Sequence, residues 1–357
     1  MATKVYKAAH TGSGHYGKIV KVINTDSAGV GVNALALHLG STCIYKKIMA
    51  FDSSGITGYS ISTSGDPQYL EPWSCILTPQ SGHQALPWDT KVTMGGVDIT
   101  SSVYDKVTGT ISISSVTGDI TIEAEAVMMS SEYEPVEYIK SPYPGTVASV
   151  VNLGYAPNNK TKLEIDANLA DNGYPILLFG ANNVNTAAPA VRFYQFQNIV
   201  ANGGAMAWGP NRRATSAEAR AGCGRRFNFV CDRGVFTFIH TNGDVNTIDI
   251  SSDDEWKETA NVRLFGAYAP SDRYYGSGTV WGIKISEIET VDEEEVQTWK
   301  RVYLPAKRRS DRCPGFYDQV SGNLFLEKPS WTLPGEETNT NATNNALPNV
   351  NTEEEEM

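Results

Sequence analysis

The chain has 357 residues, 41% hydrophobic and only 19% charged, with 32 glycines and 17 prolines. That length holds two or three domains with a sizeable core, and the Gly and Pro content fits many short elements joined by tight turns. Lys and Arg number 29 against 40 Asp and Glu, a net charge of −11, which argues against general nucleic-acid binding because phosphate neutralisation needs a basic surplus.

The charge is uneven, with +5 in residues 1–50 and −6 in residues 332–357. Five cysteines (Cys43, Cys75, Cys223, Cys231, Cys313) form no CxxC pair and have no histidine at ligand spacing, so neither a disulfide framework nor a zinc site is expected. The start, MATKVYKAAHTGSGHYGKIVKV, lacks the apolar region of a secretory signal. No stretch approaches the roughly 20 apolar residues of a membrane span. The expectation is a chain made in a cytoplasm and not inserted into a membrane.

Residues 1–50 read as an N-terminal anchoring segment. Gly12-Ser13-Gly14-His15-Tyr16-Gly17 lacks the following GK[ST] of a phosphate loop and reads as a flexible arm or a turn. Over 51–131 the runs ITGYSISTSG, WSCILTP and KVTMGGVDITSSVYDKVTGTISISSVTGDITIEAEA alternate apolar and polar residues between glycines, which predicts short strands that each bury one face.

From 132 to 331 the same pattern recurs on a larger scale. TKLEIDANLA, YPILLFGAN, AVRFYQFQNI, RRFNFVCD, GVFTFIHT, TIDISS, NVRLFGAYA and TVWGIKISEIE are separated by Gly, Asn, Asp and Pro. At least eight strands predict two packed antiparallel sheets. Asp232-Arg233-Gly234 and Asn242-Gly243 are turn signals. ANGGAMAWGPNRRATSAEARAG reads as a long loop carrying Trp208, and APSDRYYGSG as a second loop carrying Tyr274 and Tyr275. Trp256, Trp281 and Trp299 lie in or near strand-like runs and are expected to pack. Residues 332–357 have no apolar period and read as a disordered acidic tail.

The run from Tyr138, YIKSPYPGTVASVVNLGYAPNNKTKLEIDANL, then LLFGAN, NVRLFGAY, GTVWGIKISE and RVYLPAKRRSDRCPGFYDQVSGNLF resemble the laminin-G or concanavalin A-like lectin domains of bacteriophage structural and tail proteins and of bacterial surface proteins. TMGGVDITSSVY and ISISSVTGDITIEA resemble the immunoglobulin-like repeat that often precedes such domains in phage proteins. The resemblance implies an all-β chain: an immunoglobulin-like sandwich over 51–131 followed by a concanavalin A-like (laminin-G) jelly-roll sandwich over 132–331. It also implies a virion protein, assembled in the host cytoplasm beside other virion proteins and displayed on the tail, fibre or head surface. The partner would be host-surface polysaccharide, gripped without hydrolysis. The alternatives are a purely architectural decoration protein and a polysaccharide depolymerase.

One retaining glycosidase group of this fold carries E-[ILV]-D-x-(x)-E. Here Glu164-Ile165-Asp166 is followed by Ala167, Asn168 and Leu169, so the second carboxyl of the pair is missing, and Glu164 and Asp166 read as outward residues of an alternating strand. The five histidines are scattered and no G-x-S-x-G motif is present; no catalytic residue is assigned. Rings on loops of a rigid sandwich suit sugar stacking, which singles out Trp208, Tyr274 and Tyr275; a lid over the sandwich end is the competing role for the same rings. Lys307, Arg308, Arg309 and Arg312, like Arg212-Arg213 and Arg225-Arg226, read as surface charges beside acidic neighbours. Asp244, Asp249, Asp253 and Asp254 cluster in sequence without EF-hand spacing, so calcium is left open, no metal ligand is assigned and no cofactor is expected. A homo-oligomer would add avidity to weak sugar contacts, but no coiled-coil heptads specify one.

Overall fold

The computed structural model describes residues 10–11, 15–16, 23–25, 31–33, 36–39, 42–143, 145, 147–170, 176–182, 192–198, 203–210, 212–216, 225–266 and 276–336. The chain is all-β and divides into two compact units, residues 1–128 and 129–357.

In the first unit, three short strand pairs precede the sandwich: His10–Thr11 with His15–Tyr16, Ile23–Thr25 with Gly31–Asn33, and Ala36–Leu39 with Thr42–Lys46. The sandwich strands are β1 (Phe51–Thr57), β2 (Tyr59–Thr63), β3 (Trp73–Pro79), β4 (His83–Ala85), β5 (Lys91–Met94), β6 (Val97–Asp98), β7 (Tyr104–Asp105), β8 (Thr110–Ile113) and β9 (Ile120–Met128). One sheet runs β7-β8-β3-β2. In the other, β9 takes β4 and β5 antiparallel along one edge and β1 parallel along the other. Alternation supplies the core: Trp73, Cys75 and Leu77 from β3, Ile111 and Ile113 from β8, and Ile120, Ile122, Ala124 and Ala126 from β9. Met49 joins this core, so packing begins just before residue 51.

Gly58 alone separates β1 from β2, and the chain changes sheets there. Its φ is +70°, and a Cβ would sit 2.1 Å from the Ala126 carbonyl oxygen. Only glycine fits this crossing.

The second unit is a larger sandwich. Its strands are β10 (Tyr133–Pro135), β11 (Ile139–Lys140), β12 (Val151–Asn152), β13 (Thr161–Leu169), β14 (Ile176–Asn182), β15 (Arg192–Asn198), β16 (Gly203–Gly209), β17 (Arg212–Ser216), β18 (Arg226–Asp232), β19 (Val235–His240), β20 (Val245–Asp249), β21 (Arg263–Leu264), β22 (Gly278–Val291), β23 (Glu294–Arg308), β24 (Pro314–Asp318) and β25 (Phe325–Glu327). The larger sheet has the order β20-β19-β18-β13-β22-β23-β24-β25, with β10 beside β23 and β11 beside β22; the smaller has the order β12-β21-β14-β15-β16-β17. All pairings are antiparallel.

Both turn signals are used. Arg233 (φ 47°) and Gly234 (φ 93°) form a two-residue connection between β18 and β19, the positive-φ pair that suits strand twist. At Asn242-Gly243 only Gly243 is left-handed; its N–H donates to the His240 carbonyl and the His240 N–H to the Asp244 carbonyl. This is a bulged, longer hairpin loop instead of the tight two-residue turn.

Within the segment read as a long loop around Trp208, Gly203–Gly209 and Arg212–Ser216 instead form the β16–β17 hairpin, and Trp208 has no exposed surface. Its ring meets Trp256 edge to face at 4.7 Å and lies under the turn glycine Gly234. Trp208 therefore crosses the sandwich interior and is no sugar platform. Tyr274 and Tyr275 lie outside the described residues. Trp256 packs as expected, Trp281 is half-buried and Trp299 is exposed, which corrects the expectation that Trp299 packs. The chain after residue 331 stays folded for a few residues: Thr332 exchanges backbone bonds with Lys140 and Leu333 is buried. Residues 337–357 lie outside the described residues.

Trp208→Ala should destabilise the second unit by about 3–5 kcal/mol, the cost of truncating a fully buried aromatic. Chemical denaturation of the full chain checks this; an unchanged midpoint would contradict the placement.

Candidate ligand-binding cleft

Strand β13 sets the chemistry of the larger sheet because its residues alternate between core and surface without interruption. Thr161, Leu163, Ile165, Ala167 and Leu169 are buried, while Lys162, Glu164, Asp166 and Asn168 share the outer face. The outward reading of Glu164 and Asp166 is what the strand shows. Each carboxylate holds a cation: Glu164 pairs with Lys162 at 2.9 Å, and Arg226 donates to Asp166 through Nε at 2.8 Å and Nη2 at 2.5 Å. The same Arg226 guanidinium lies 4.4 Å from the Trp281 ring centre, and Trp281 meets Tyr138 at 5.5 Å. The bidentate pair thus fixes Arg226 over the aromatic face.

At the other end of this face lies an open cleft of about 1040 Å³. Its floor combines Lys162 of β13 with Val230 and Asp232 of β18 and Val235, Thr237 and Ile239 of β19. Asn159 and Lys160 form one rim, Ser251–Asp253 another, and Ile288–Val291 of β22 a third. The apolar patches arise because outward positions of β18 and β19 hold Val and Ile where a solvated sheet would carry polar residues.

Lys160 and Arg233 are both paired with carboxylates. Lys160 bonds Glu289 at 2.9 Å, which raises the lysine's pKa. Arg233 spans Asp232 at 2.8 Å and Glu295 at 2.7 Å, and its bond to Glu295 raises its pKa. A second hollow of about 410 Å³ shares Asn159, Lys160 and Glu289 with the first. The Lys160–Glu289 pair, with each side chain about half exposed (48% and 49%), therefore separates two parts of one groove. Exposed pairs of this kind contribute only about 0–1 kcal/mol, so a ligand can displace it cheaply.

Beneath the second hollow, Glu287 accepts from Tyr155 at 3.0 Å and from Asn158 at 2.8 Å, and pairs with Lys300 at 2.9 Å. Burial pushes the Glu287 carboxyl up, but the bonds from Lys300, Asn158 and Tyr155 together outweigh it and hold the pKa below the ordinary value.

Several of the remaining sequence candidates have local partners, and the side chains of Arg212 and Arg213 lie outside the described residues. Lys307 and Arg309 both pair with Glu134, Arg308 with Asp311 and Glu327, and Arg312 with Glu336. Asp249 accepts from the Ser251 N–H and hydroxyl, and Asp244 from Asn242. Among the described residues, no three His, Cys, Asp or Glu converge on a metal position, and no helix is long and apolar enough to cross a membrane.

Lys160, Arg233 and Glu289 were not legible as site residues. The one available signal was Arg233 itself, an arginine at a left-handed turn position that ordinarily favours Asn, Asp or Gly. Chemically, a groove with aliphatic floor patches, amide and hydroxyl groups, and balanced charges suits an uncharged ligand that has both C–H faces and hydroxyls. No protein-family model matches the chain, and no curated protein matches it either.

A carboxyl whose pKa is lowered by folding stabilises the native state above its ordinary value, 4.5 here, and that contribution is lost as pH falls through the folded value. The melting-temperature gap between wild type and Glu287→Gln should therefore be widest near neutrality and close progressively below that ordinary value. A gap constant with pH would contradict the network.

Proposed function

We propose that this chain is a virion-displayed adhesion module, in which an immunoglobulin-like spacer carries a laminin-G/concanavalin A-like sandwich that holds host-surface glycan without cleaving it. The observation that carries the reading is the groove on the outer face of the larger sheet, with Val230, Val235 and Ile239 beside Thr237, Asn159 and Ser251. Pyranose rings present an apolar C–H face and a hydroxyl rim, and this groove offers partners for both. The resemblance of the Tyr138-to-Phe325 motifs to phage lectin-type domains adds the virion setting and other virion proteins as neighbours. The ion pairs on Glu164 and Asp166 favour binding over hydrolysis, since neither is a free carboxyl poised to transfer a proton.

The groove replaces Trp208 as the contact surface. A panel of purified bacterial surface polysaccharides titrated against the full chain tests the reading. Saturable binding to at least one member, weakened about tenfold or more by Ile239→Arg at an unchanged melting temperature, is expected, because a charge on the floor blocks the apolar contact. Binding unaffected by Ile239→Arg, or release of oligosaccharides from the bound polymer, would overturn it.

A further inference from the structure

Strand β23 is 15 residues long, and β24 joins it only from Tyr303 onward. Glu294–Arg301 have no strand partner among the described residues on the edge facing away from β22. Glu294–Trp299 are exposed throughout, so the core claims neither face of this stretch.

The turn fixes which backbone groups are open. Asp292 (φ 52°) and Glu293 (φ 70°) make a two-residue connection between the paired residues Val291 and Glu294, and a connection of that kind is closed by a hydrogen-bonded pair. Antiparallel pairs alternate between bonded and non-bonded, so Glu294, Val296 and Thr298 direct their N–H and C=O groups to Val291, Glu289 and Glu287. Those of Glu295, Gln297 and Trp299 point to the open edge.

An open edge is a template for another strand, and proteins commonly blunt it with Pro, inward charges or a bulge. Glu294-Glu295-Val296-Gln297-Thr298-Trp299-Lys300-Arg301 has no Pro or Gly, and Val, Thr and Trp favour strands. Its register irregularity comes only at Lys300, between the paired residues Trp299 and Arg301. Charge is sorted along it, with two glutamates at the start, two cations at the end and none between. A segment with that order complements itself when turned end for end. The opposite edge of the larger sheet, β20, has Asp249 as its one charged residue and offers no such match.

We propose that this edge pairs antiparallel with the same edge of a second copy, about a dyad at Gln297, so that the two larger sheets join into one. A dyad perpendicular to a sheet keeps each residue on its own face, so residues that face each other lie an even number apart in sequence. The open groups of Glu295, Gln297 and Trp299 must also meet one another. Of the centres this allows, Gln297 is the one that sets Glu294 opposite Lys300 and keeps every pair clear of Val302, whose carbonyl already accepts from Gln319. Gln297 then faces Gln297 and Glu295 faces Trp299 as bonded pairs, while Val296 faces Thr298 and Glu294 faces Lys300 as non-bonded pairs. Glu294 has no ion pair among the described residues, whereas Lys300 holds Glu287 at 2.9 Å with its side chain 36% exposed. The lysine can bridge its own Glu287 and Glu294 of the second copy. The contact is isologous and closes at two copies; the ladder is short, so the dimer is weak and reversible.

Sedimentation velocity of the full chain should show a reversible monomer–dimer equilibrium that goes no further than two copies. Gln297→Pro removes an N–H from the open edge without touching the bonds to β22, and should abolish the dimer while the circular dichroism spectrum stays that of the wild type. Glu294→Lys sets like charges opposite each other twice in the dimer and should weaken it about tenfold or more. Val296 and Thr298 would face each other with Cα atoms about 4.5 Å apart, within disulfide range. A Val296→Cys chain mixed with a Thr298→Cys chain should therefore form a disulfide between those positions on oxidation, and neither chain alone should link to itself there. A monomer at every concentration, a dimer unaffected by Gln297→Pro and Glu294→Lys, or self-linking of one cysteine variant in place of the mixed pair would overturn the proposal.

Discussion

Strand β13 has neighbours along both edges, β18 on one side and β22 on the other, and it alternates between buried and half-exposed positions over nine residues. A slip of one residue would turn Leu163, Ile165 and Leu169 outward and send Lys162, Glu164 and Asp166 into the core. Burial of each large aliphatic side chain is worth roughly 1.5–3 kcal/mol, and an unpaired buried charge costs several more, so the register is strongly enforced. The outer face of the sheet, with its ion pairs and its groove, is the direct consequence of that enforcement.

The aromatic side chains extend this constraint through the second unit. Phe229 of β18 meets Phe179 of β14 at 5.2 Å across the sandwich, and Phe236 and Phe238 of β19 surround it. Trp208 closes the interior near the β18–β19 turn, where Gly234 leaves room for its ring. The same turn presents Arg233 to Asp232 and Glu295. Core packing and groove geometry thus meet at one hairpin turn, where the inner side is set by Trp208 and the outer side by Arg233.

Most strands could be read from the sequence because alternation and glycine punctuation were both strong, as in Ile111, Ile113, Ile120, Ile122 and Ala124 or in the Leu163-to-Leu169 run. The β16–β17 hairpin escaped notice for a physical reason. Gly204, Ala205 and Ala207 have low strand propensity, so the period-two spacing of Met206 and Trp208 was hidden in what looked like loop composition. The N-terminal part of β23 escaped because Glu294–Trp299 carry no buried face at all: a strand exposed on both sides has no apolar period to detect. The groove was illegible since its residues come from separate stretches between Asn159 and Val291, and only the fold brings them together.

The groove is chemically mixed, with Val230, Val235 and Ile239 beside Thr237, Asn159 and Ser251, as the proposed hydroxylated ligand requires. Hydrogen–deuterium exchange of the full chain with and without a bound surface polysaccharide would test the central claim most directly. The account predicts added protection in residues 159–162, 230–239 and 288–291, with the β16–β17 hairpin unchanged. Protection confined to other parts of the second unit would contradict the placement of the site on the outer face of the larger sheet.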